Sequence, residues 1–153
     1  MSMKRILLFL LSCIFCGQLS AAKPPNVVFF FSDDQAYDTV GCYGNPNVKT
    51  PNMDKLGARG VIFDRHYNTT AICMASRANV MTGKLEYKTG CIFSHGPMSK
   101  SIWAESYPVL LRKAGYRTAF GGKFGFAVVD DPTRGGSESK CDNLPMDDFD
   151  FWV

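Results

Sequence analysis

The run Asn26-Val27-Val28-Phe29-Phe30-Phe31-Ser32 constrains the fold of this chain more than any other stretch. It is a short, continuous apolar segment rich in β-branched and aromatic residues, with two prolines before it and two aspartates after it. These properties predict a strand that is buried on both faces, as strands are in parallel sheets.

Predicted helices and strands alternate along the rest of the chain. Thr50-Pro51 supplies an N-cap and a first helical residue, Met53 and Leu56 form an apolar stripe, and Gly60 ends the helix. The other predicted elements are a strand at 61–63, a helix at 76–81, a helix at 107–113 and a strand at 116–120. This order is typical of an α/β fold, in which sites form outside the carboxyl ends of the strands.

Residues 1–22 have the layout of a secretory signal peptide. Lys4 and Arg5 precede an apolar run at 6–16, and Ser20, Ala21 and Ala22 supply small residues for cleavage. The run is too short to be a stable membrane span, and we see no other run of that length. We therefore expect a secreted or periplasmic protein, lysosomal or extracellular if the source is eukaryotic, with no stable membrane span.

The mature chain would be nearly neutral. Residues 1–22 contain two of the 17 basic residues and none of the 14 acidic ones, which leaves a net charge of +1 for residues 23–153. That charge provides no basic field for nucleic acid. The four remaining cysteines include no C-x-x-C pair, which disfavours a zinc ribbon, and they are too sparse for a disulfide scaffold.

Asp33 and Asp34 follow the first predicted strand directly. Adjacent carboxylates repel each other unless solvent or a cation relieves the repulsion. One interpretation is a turn with a helix N-cap. The other is a site for a hard cation, Ca²⁺ or Mg²⁺, which binds oxygen ligands.

Cys73 precedes the predicted helix at 76–81, and Arg77 follows it by about one helical turn. Amide groups at a helix start favour a thiolate or a bound oxyanion, and a guanidinium suits sulfate or phosphate. The alternative is a structural cysteine, free or disulfide-bonded, with Arg77 in a surface ion pair.

Lys123 lies on a loop after two glycines, but Phe124 stands where a P-loop would have serine or threonine. An ordinary exposed lysine is the alternative. His66 and His95 lie too far apart in the sequence for a local metal motif. Asn68-Thr69-Thr70 is either a glycosylation sequon or the approach to Cys73.

These segments, taken in order, resemble the sulfatase family. Cys73-Met74-Ala75-Ser76-Arg77 followed by Thr82-Gly83-Lys84 is similar to the family signature, C-x-P-S-R or C-x-A-S-R and then T-G-R or T-G-K. Similarity extends over most of residues 26–125, in the segments Asn26-Val27-Val28, Ser32-Asp33-Asp34, Gly41-Cys42-Tyr43-Gly44, Thr50-Pro51-Asn52-Met53-Asp54, Gly115-Tyr116-Arg117-Thr118 and Gly122-Lys123.

The resemblance implies the α/β fold of the alkaline-phosphatase-like superfamily, with a mixed, mostly parallel central sheet and flanking helices. It implies that a formylglycine-generating or anaerobic sulfatase-maturating enzyme oxidises Cys73 to formylglycine. One hydroxyl of the hydrated aldehyde then attacks the sulfur of a sulfate ester, and the second expels sulfate and restores the aldehyde.

By the same resemblance, Asp33, Asp34 and the modified Cys73 would hold a divalent cation, Ca²⁺ or Mg²⁺. Arg77 would hold the diol and Lys123 would neutralise a sulfate oxygen. The substrate would be a sulfated small molecule or glycan.

Two departures from the family pattern bear on this reading. Gly125 stands where the family usually has a histidine, and the family's second pair of metal ligands lies beyond Val153. We therefore expect residues 23–153 to be the truncated N-terminal part of the catalytic domain, inactive by itself. The alternatives are a phosphoester or phosphonate hydrolase of the same superfamily and a non-catalytic binding relative.

Overall fold

The computed structural model describes residues 23–92, 96–132 and 143–153. The predicted signal peptide at 1–22, His95 and Cys141 lie outside these residues. The chain divides into two compact units, Met1–Ser32 and Asp33–Val153.

Residues 23–32 of the first unit contain no regular secondary structure. The side chains of the apolar run are between 41% and 87% exposed, and the rings of Phe29 and Phe31 stack with their centroids 6.0 Å apart. The prediction of a buried strand at 26–32 is therefore wrong for this structure. A strand exists only through backbone hydrogen bonds to a neighbouring strand, and this segment belongs to neither of the two sheets in the described part of the chain.

Five helices and four short strands make up the described part of the second unit. The helices are α1 (Pro51–Arg59), α2 (Cys73–Thr82), α3 (Glu86–Thr89), α4 (Lys100–Trp103) and α5 (Tyr107–Lys113). The strands are β1 (Met98–Ser99), β2 (Ala119–Phe120), β3 (Val128–Val129) and β4 (Phe151–Trp152). Single 3₁₀ turns occur at Tyr37–Thr39, Gly41–Tyr43 and Met146–Asp148.

Helix α1 starts and ends where the sequence predicts, but its cap and its apolar side chains do not make the predicted contacts. Thr50 makes no capping hydrogen bond; its hydroxyl accepts from the Gly41 amide at 2.8 Å and donates to Asp54 Oδ1 at 2.9 Å. Met53 and Leu56 are exposed, so the predicted apolar stripe does not face the core of this structure. A polar network instead fastens α1 to the turn at Gly41–Tyr43.

Helix α2 is longer than predicted at its start. It begins at Cys73 rather than Ser76, with Ile72 in the extended N-cap position. The predicted stop is confirmed: Gly83 has φ +65°, a left-handed conformation that ends helices. Cys73 is therefore the first residue of the helix and does not lie in the loop before it.

The strands form two parallel pairs. β1 pairs with β3, placing Met98 opposite Val128, and β2 pairs with β4, placing Ala119 opposite Phe151. The strand predicted at 116–120 is reduced to its last two residues, and the one predicted at 61–63 is absent. Parallel strands separated by helices nevertheless confirm the predicted α/β class.

An aromatic cluster forms the core of the second unit. Trp103 packs edge-on against Phe124 and Phe126 with centroid separations of 5.3 and 6.2 Å, and its indole N–H donates to Asp148 Oδ2 at 2.7 Å. One face of α2 enters the same cluster through Met74, Ala78 and Met81. Burying side chains of this size contributes about 1.5–3 kcal/mol each. The core therefore fixes both α2 and the loop around Phe124.

Candidate active site

Three side-chain hydrogen bonds hold the segment that leads into Cys73. Asn68 Nδ2 donates to Ser76 Oγ at 2.9 Å, and Asn79 Nδ2 donates to Thr69 Oγ1 at 3.3 Å. Thr70 Oγ1 donates to Glu86 Oε2 at 2.7 Å, which connects the segment to α3. The thiol of Cys73 is free and half-buried at the start of α2. The approach to Cys73 is thus fixed to two helices.

Arg77 is buried, although it carries a charge. Its side chain is 8% exposed, and Nη1 donates to the backbone carbonyl of Lys123 at 2.5 Å. Nη2 lies 3.5 Å from Asp33 Oδ2. A buried charge needs a hydrogen bond or a counter-charge, and Arg77 has both. The alternative of a surface ion pair therefore does not describe this arginine.

Lys123 meets the same carboxylate. Its Nζ lies 2.6 Å from Asp33 Oδ2, and both side chains are partly exposed. This hydrogen bond, helped by the charges of Lys123 and Arg77, holds the pKa of Asp33 below its ordinary value against the effect of desolvation. It also raises the pKa of Lys123, to which the charges of Asp33 and Cys73 contribute. The contact with Asp33 therefore favours the protonated, cationic form of Lys123.

Asp34 follows Asp33 directly, but the ion pairs of this cluster involve Asp33 alone. Asp34 has φ +52°, a left-handed conformation unusual outside glycine, and its side chain makes no hydrogen bond or ion pair with the described residues. In the described part of the chain, no three Asp, Glu, His or Cys side chains come together as a metal site. Asp33 and Asp34 are the oxygen donors that hard cations prefer, so they fit Ca²⁺ or Mg²⁺ in donor type and charge.

Of the five residues predicted from the sequence, the structure brings together Asp33, Arg77 and Lys123 by direct contacts. Cys73 is the first residue of α2, four residues before Arg77 on the same helix. The sequence placed Asn68 and Thr70 in a candidate sequon and Ser76 in the signature, but it did not predict the hydrogen bonds that these three side chains make. The signal for all three is the concentration of short polar side chains around Cys73, which favours local hydrogen bonds.

Comparison with known families decides the identity. A family model described as Sulfatase matches residues 25–149, which is most of the chain. The chain belongs to the sulfatase family. Its α/β architecture with parallel strands is that of part of the family's alkaline-phosphatase-like fold.

Several curated sulfatases align with this chain. Human arylsulfatase A is 37% identical over 118 residues, covering 72% of this chain and 22% of that protein. N-acetylglucosamine-6-O-sulfatase of Bacteroides thetaiotaomicron is 36% identical over 107 residues, covering 70% and 19%. The ulvan-active sulfatase of Formosa agariphila is 36% identical over 102 residues, covering 67% and 20%.

The chain therefore spans about a fifth of the length of these sulfatases. No solved structure matches it. No helix among the described residues is both long enough and apolar enough to cross a membrane.

Proposed function

We propose that the protein containing this sulfatase chain hydrolyses sulfate esters at a site built around Cys73. The observation that carries this proposal is the convergence of two cations, Arg77 and Lys123, on one carboxylate oxygen of Asp33 beside the start of α2. A cluster of this kind can hold an oxyanion close to a nucleophile at position 73.

The nucleophile in this proposal is formylglycine made from Cys73, which supplies a hydrated aldehyde for attack on sulfur. The maturation enzyme, formylglycine-generating or anaerobic, is then the first partner of the chain. Family membership and the sequence CMASR support this step.

Arg77 contributes a guanidinium in a fixed position. Its Nη1 donates to the Lys123 carbonyl, and its Nη2 lies 3.5 Å from Asp33 Oδ2. Lys123, whose side chain is 52% exposed, can follow an incoming anion. The rigid arginine orients a sulfate oxygen and the flexible lysine neutralises another.

Asp33 and Asp34 are the residues that would hold a divalent cation, Ca²⁺ or Mg²⁺, with further oxygen ligands from elsewhere. The cation would withdraw charge from the sulfate group. Asp33 would then exchange its contact with Lys123 for the cation and leave the lysine available to the substrate.

The substrate we propose is a sulfated carbohydrate. Two of the aligned relatives are named for sulfated amino sugars, as N-acetylglucosamine-6-O-sulfatase and N-acetylgalactosamine-6-sulfatase, and a third for ulvan. The predicted signal peptide at 1–22 would deliver the enzyme to the periplasm or outside the cell, where such glycans occur.

The test is to produce the full-length protein with a maturation enzyme and assay aryl sulfate and aryl phosphate side by side. We expect an aldehyde at position 73, detected by mass spectrometry and hydrazine labelling, and sulfate hydrolysis that a chelator abolishes and Ca²⁺ restores. Cys73→Ala should abolish turnover, whereas Cys42→Ala, which removes another half-buried free thiol, should retain it. An active protein with an unmodified Cys73, or one that prefers phosphate, would refute the proposal.

A further inference from the structure

Gly125 lies against the side chain of Arg77. A Cβ atom built on Gly125 would stand 2.8 Å from Arg77 Cδ and 3.6 Å from Nε. Two carbon atoms attract each other best at about 3.5–4.0 Å, so the shorter distance is a steric overlap. Any side chain at position 125 would therefore enter the space that the stem of Arg77 occupies.

The Arg77 side chain cannot move away from position 125 without losing its contacts. Its guanidinium is fixed at the Lys123 carbonyl at 2.5 Å and faces Asp33 at 3.5 Å. Its backbone lies on α2 between Ala75 and Ala78, both with 0% exposure, so a shift of the helix would disturb buried packing. The overlap would move the middle of the arginine side chain and pull the guanidinium away from the site.

We propose that Gly125 is a positioning residue, whose missing side chain gives Arg77 its route to Lys123 and Asp33. The conclusion about geometry stands on the contacts alone; its consequence for turnover rests on the proposed sulfate-ester hydrolysis.

A double-mutant cycle in the full-length protein tests the geometry without measuring activity. Gly125 has φ +95°, so alanine there adds backbone strain as well as the overlap. Gly115→Ala is the matched control, because Gly115 has φ +89° and nothing lies within 4 Å of its added Cβ.

We expect Gly125→Ala to lower the Tm at least about twice as much as Gly115→Ala, because it combines strain with a clash. In an Arg77→Ala background, which lacks Cδ, Gly125→Ala should lower the Tm only as much as Gly115→Ala does. Equal losses from Gly125→Ala in both backgrounds would overturn the proposal. If Gly125→Ala is not secreted, restoration of its yield by Arg77→Ala supports the proposal, and no restoration overturns it.

Kinetics separate the positioning role from a general loss of stability. Measured well below the Tm of each variant, Gly125→Ala should lower kcat/KM for an aryl sulfate by about 10²-fold, as Arg77→Ala does, and the double variant should be no worse. Gly115→Ala should keep normal kcat/KM. If Arg77→Ala removes the extra loss of Tm in a protein that does not hydrolyse sulfate esters, the contact between Gly125 and Arg77 is supported and the proposed function is rejected. Normal kcat/KM in Gly125→Ala would overturn the positioning role.

Discussion

Replacing Arg77 by methionine should measure how much the buried arginine stabilises the fold, apart from any part in chemistry. Methionine keeps an unbranched apolar stem of similar length and removes the guanidinium. The substitution deletes the hydrogen bond to the Lys123 carbonyl at 2.5 Å and the contact with Asp33 at 3.5 Å, while it leaves the packing of α2 in place.

The expected cost follows from these two contacts. A hydrogen bond from a charged donor contributes about 1.5–3 kcal/mol, and here its loss also leaves the Lys123 carbonyl without this partner. The contact with Asp33 adds little, because that carboxylate is accessible to solvent and keeps Lys123. We therefore expect the free energy of unfolding to fall by about 1.5–3 kcal/mol, a change of about 10- to 150-fold in the folding equilibrium.

The assay is urea unfolding of the full-length protein followed by tryptophan fluorescence, since Trp103 lies in the core that α2 helps to form. Arg112→Met is the matched control. Arg112 also donates to a carbonyl, that of Asp147 at 2.5 Å, and faces a carboxylate of Asp150 at 3.4 Å, but its side chain is 41% exposed. Water can replace the contacts of Arg112, so Arg112→Met should lower the free energy of unfolding clearly less than Arg77→Met does.

Equal stability of the two variants would refute the reasoning. It would mean that burial of Arg77 does not strengthen its hydrogen bond, and that the guanidinium is not held in the site by the fold. A larger loss of unfolding free energy in Arg112→Met than in Arg77→Met would refute the reasoning as well.

Two further predictions concern groups close to the site. The hydrogen bond from Thr70 holds the pKa of the Glu86 carboxyl below its ordinary value of 4.5. The ionised carboxylate therefore stabilises the fold fully above about pH 4.5, and this stabilisation is lost as the pH falls through the lower pKa of the folded state. Acid unfolding curves of Glu86→Gln and Thr70→Val should therefore both fall less steeply below pH 4.5 than that of the unaltered protein; unchanged curves would contradict this. Burial raises the pKa of Cys91 to about 12, so iodoacetamide at pH 8 should label Cys42 in the native protein and Cys91 only after unfolding. Rapid native labelling of Cys91, detected by mass spectrometry, would contradict its burial.

Local sequence signals predicted the helices better than the strands. Pro51 and Gly60 delimit α1, Gly83 ends α2, and Tyr107–Lys113 is helical as expected, because caps and helix stops act within one turn of the chain. A strand depends on a distant partner. The apolar run at 26–32 has the composition of a strand but belongs to neither described sheet. Residues 116–118 lie before the ladder of β2 with β4, although the Thr118 carbonyl accepts from the Phe151 amide at 3.2 Å.

The candidate site was predictable in its members but not in its contacts. Family resemblance pointed to Asp33, Arg77 and Lys123, which are 44 and 46 residues apart in the sequence and meet in the structure. Nothing in the sequence indicates that Arg77 bonds to the backbone of Lys123, or that Gly125 lies against its stem. Those contacts depend on how the loop after β2 packs against α2, which only tertiary structure determines.

The sequence CMASR is constrained by packing as well as by chemistry. Met74 enters the aromatic core, and Ala75 is fully buried, with 0% exposure. Ser76 accepts the hydrogen bond from Asn68 that fixes the approach to Cys73. Cys73 and Arg77 are the two positions to which we assign chemistry in the proposed function, and the other three pack or hydrogen-bond to hold the helix. A protein that lost the activity but kept the fold could therefore keep these packing and hydrogen-bonding side chains, and the middle of this signature is not by itself proof of turnover.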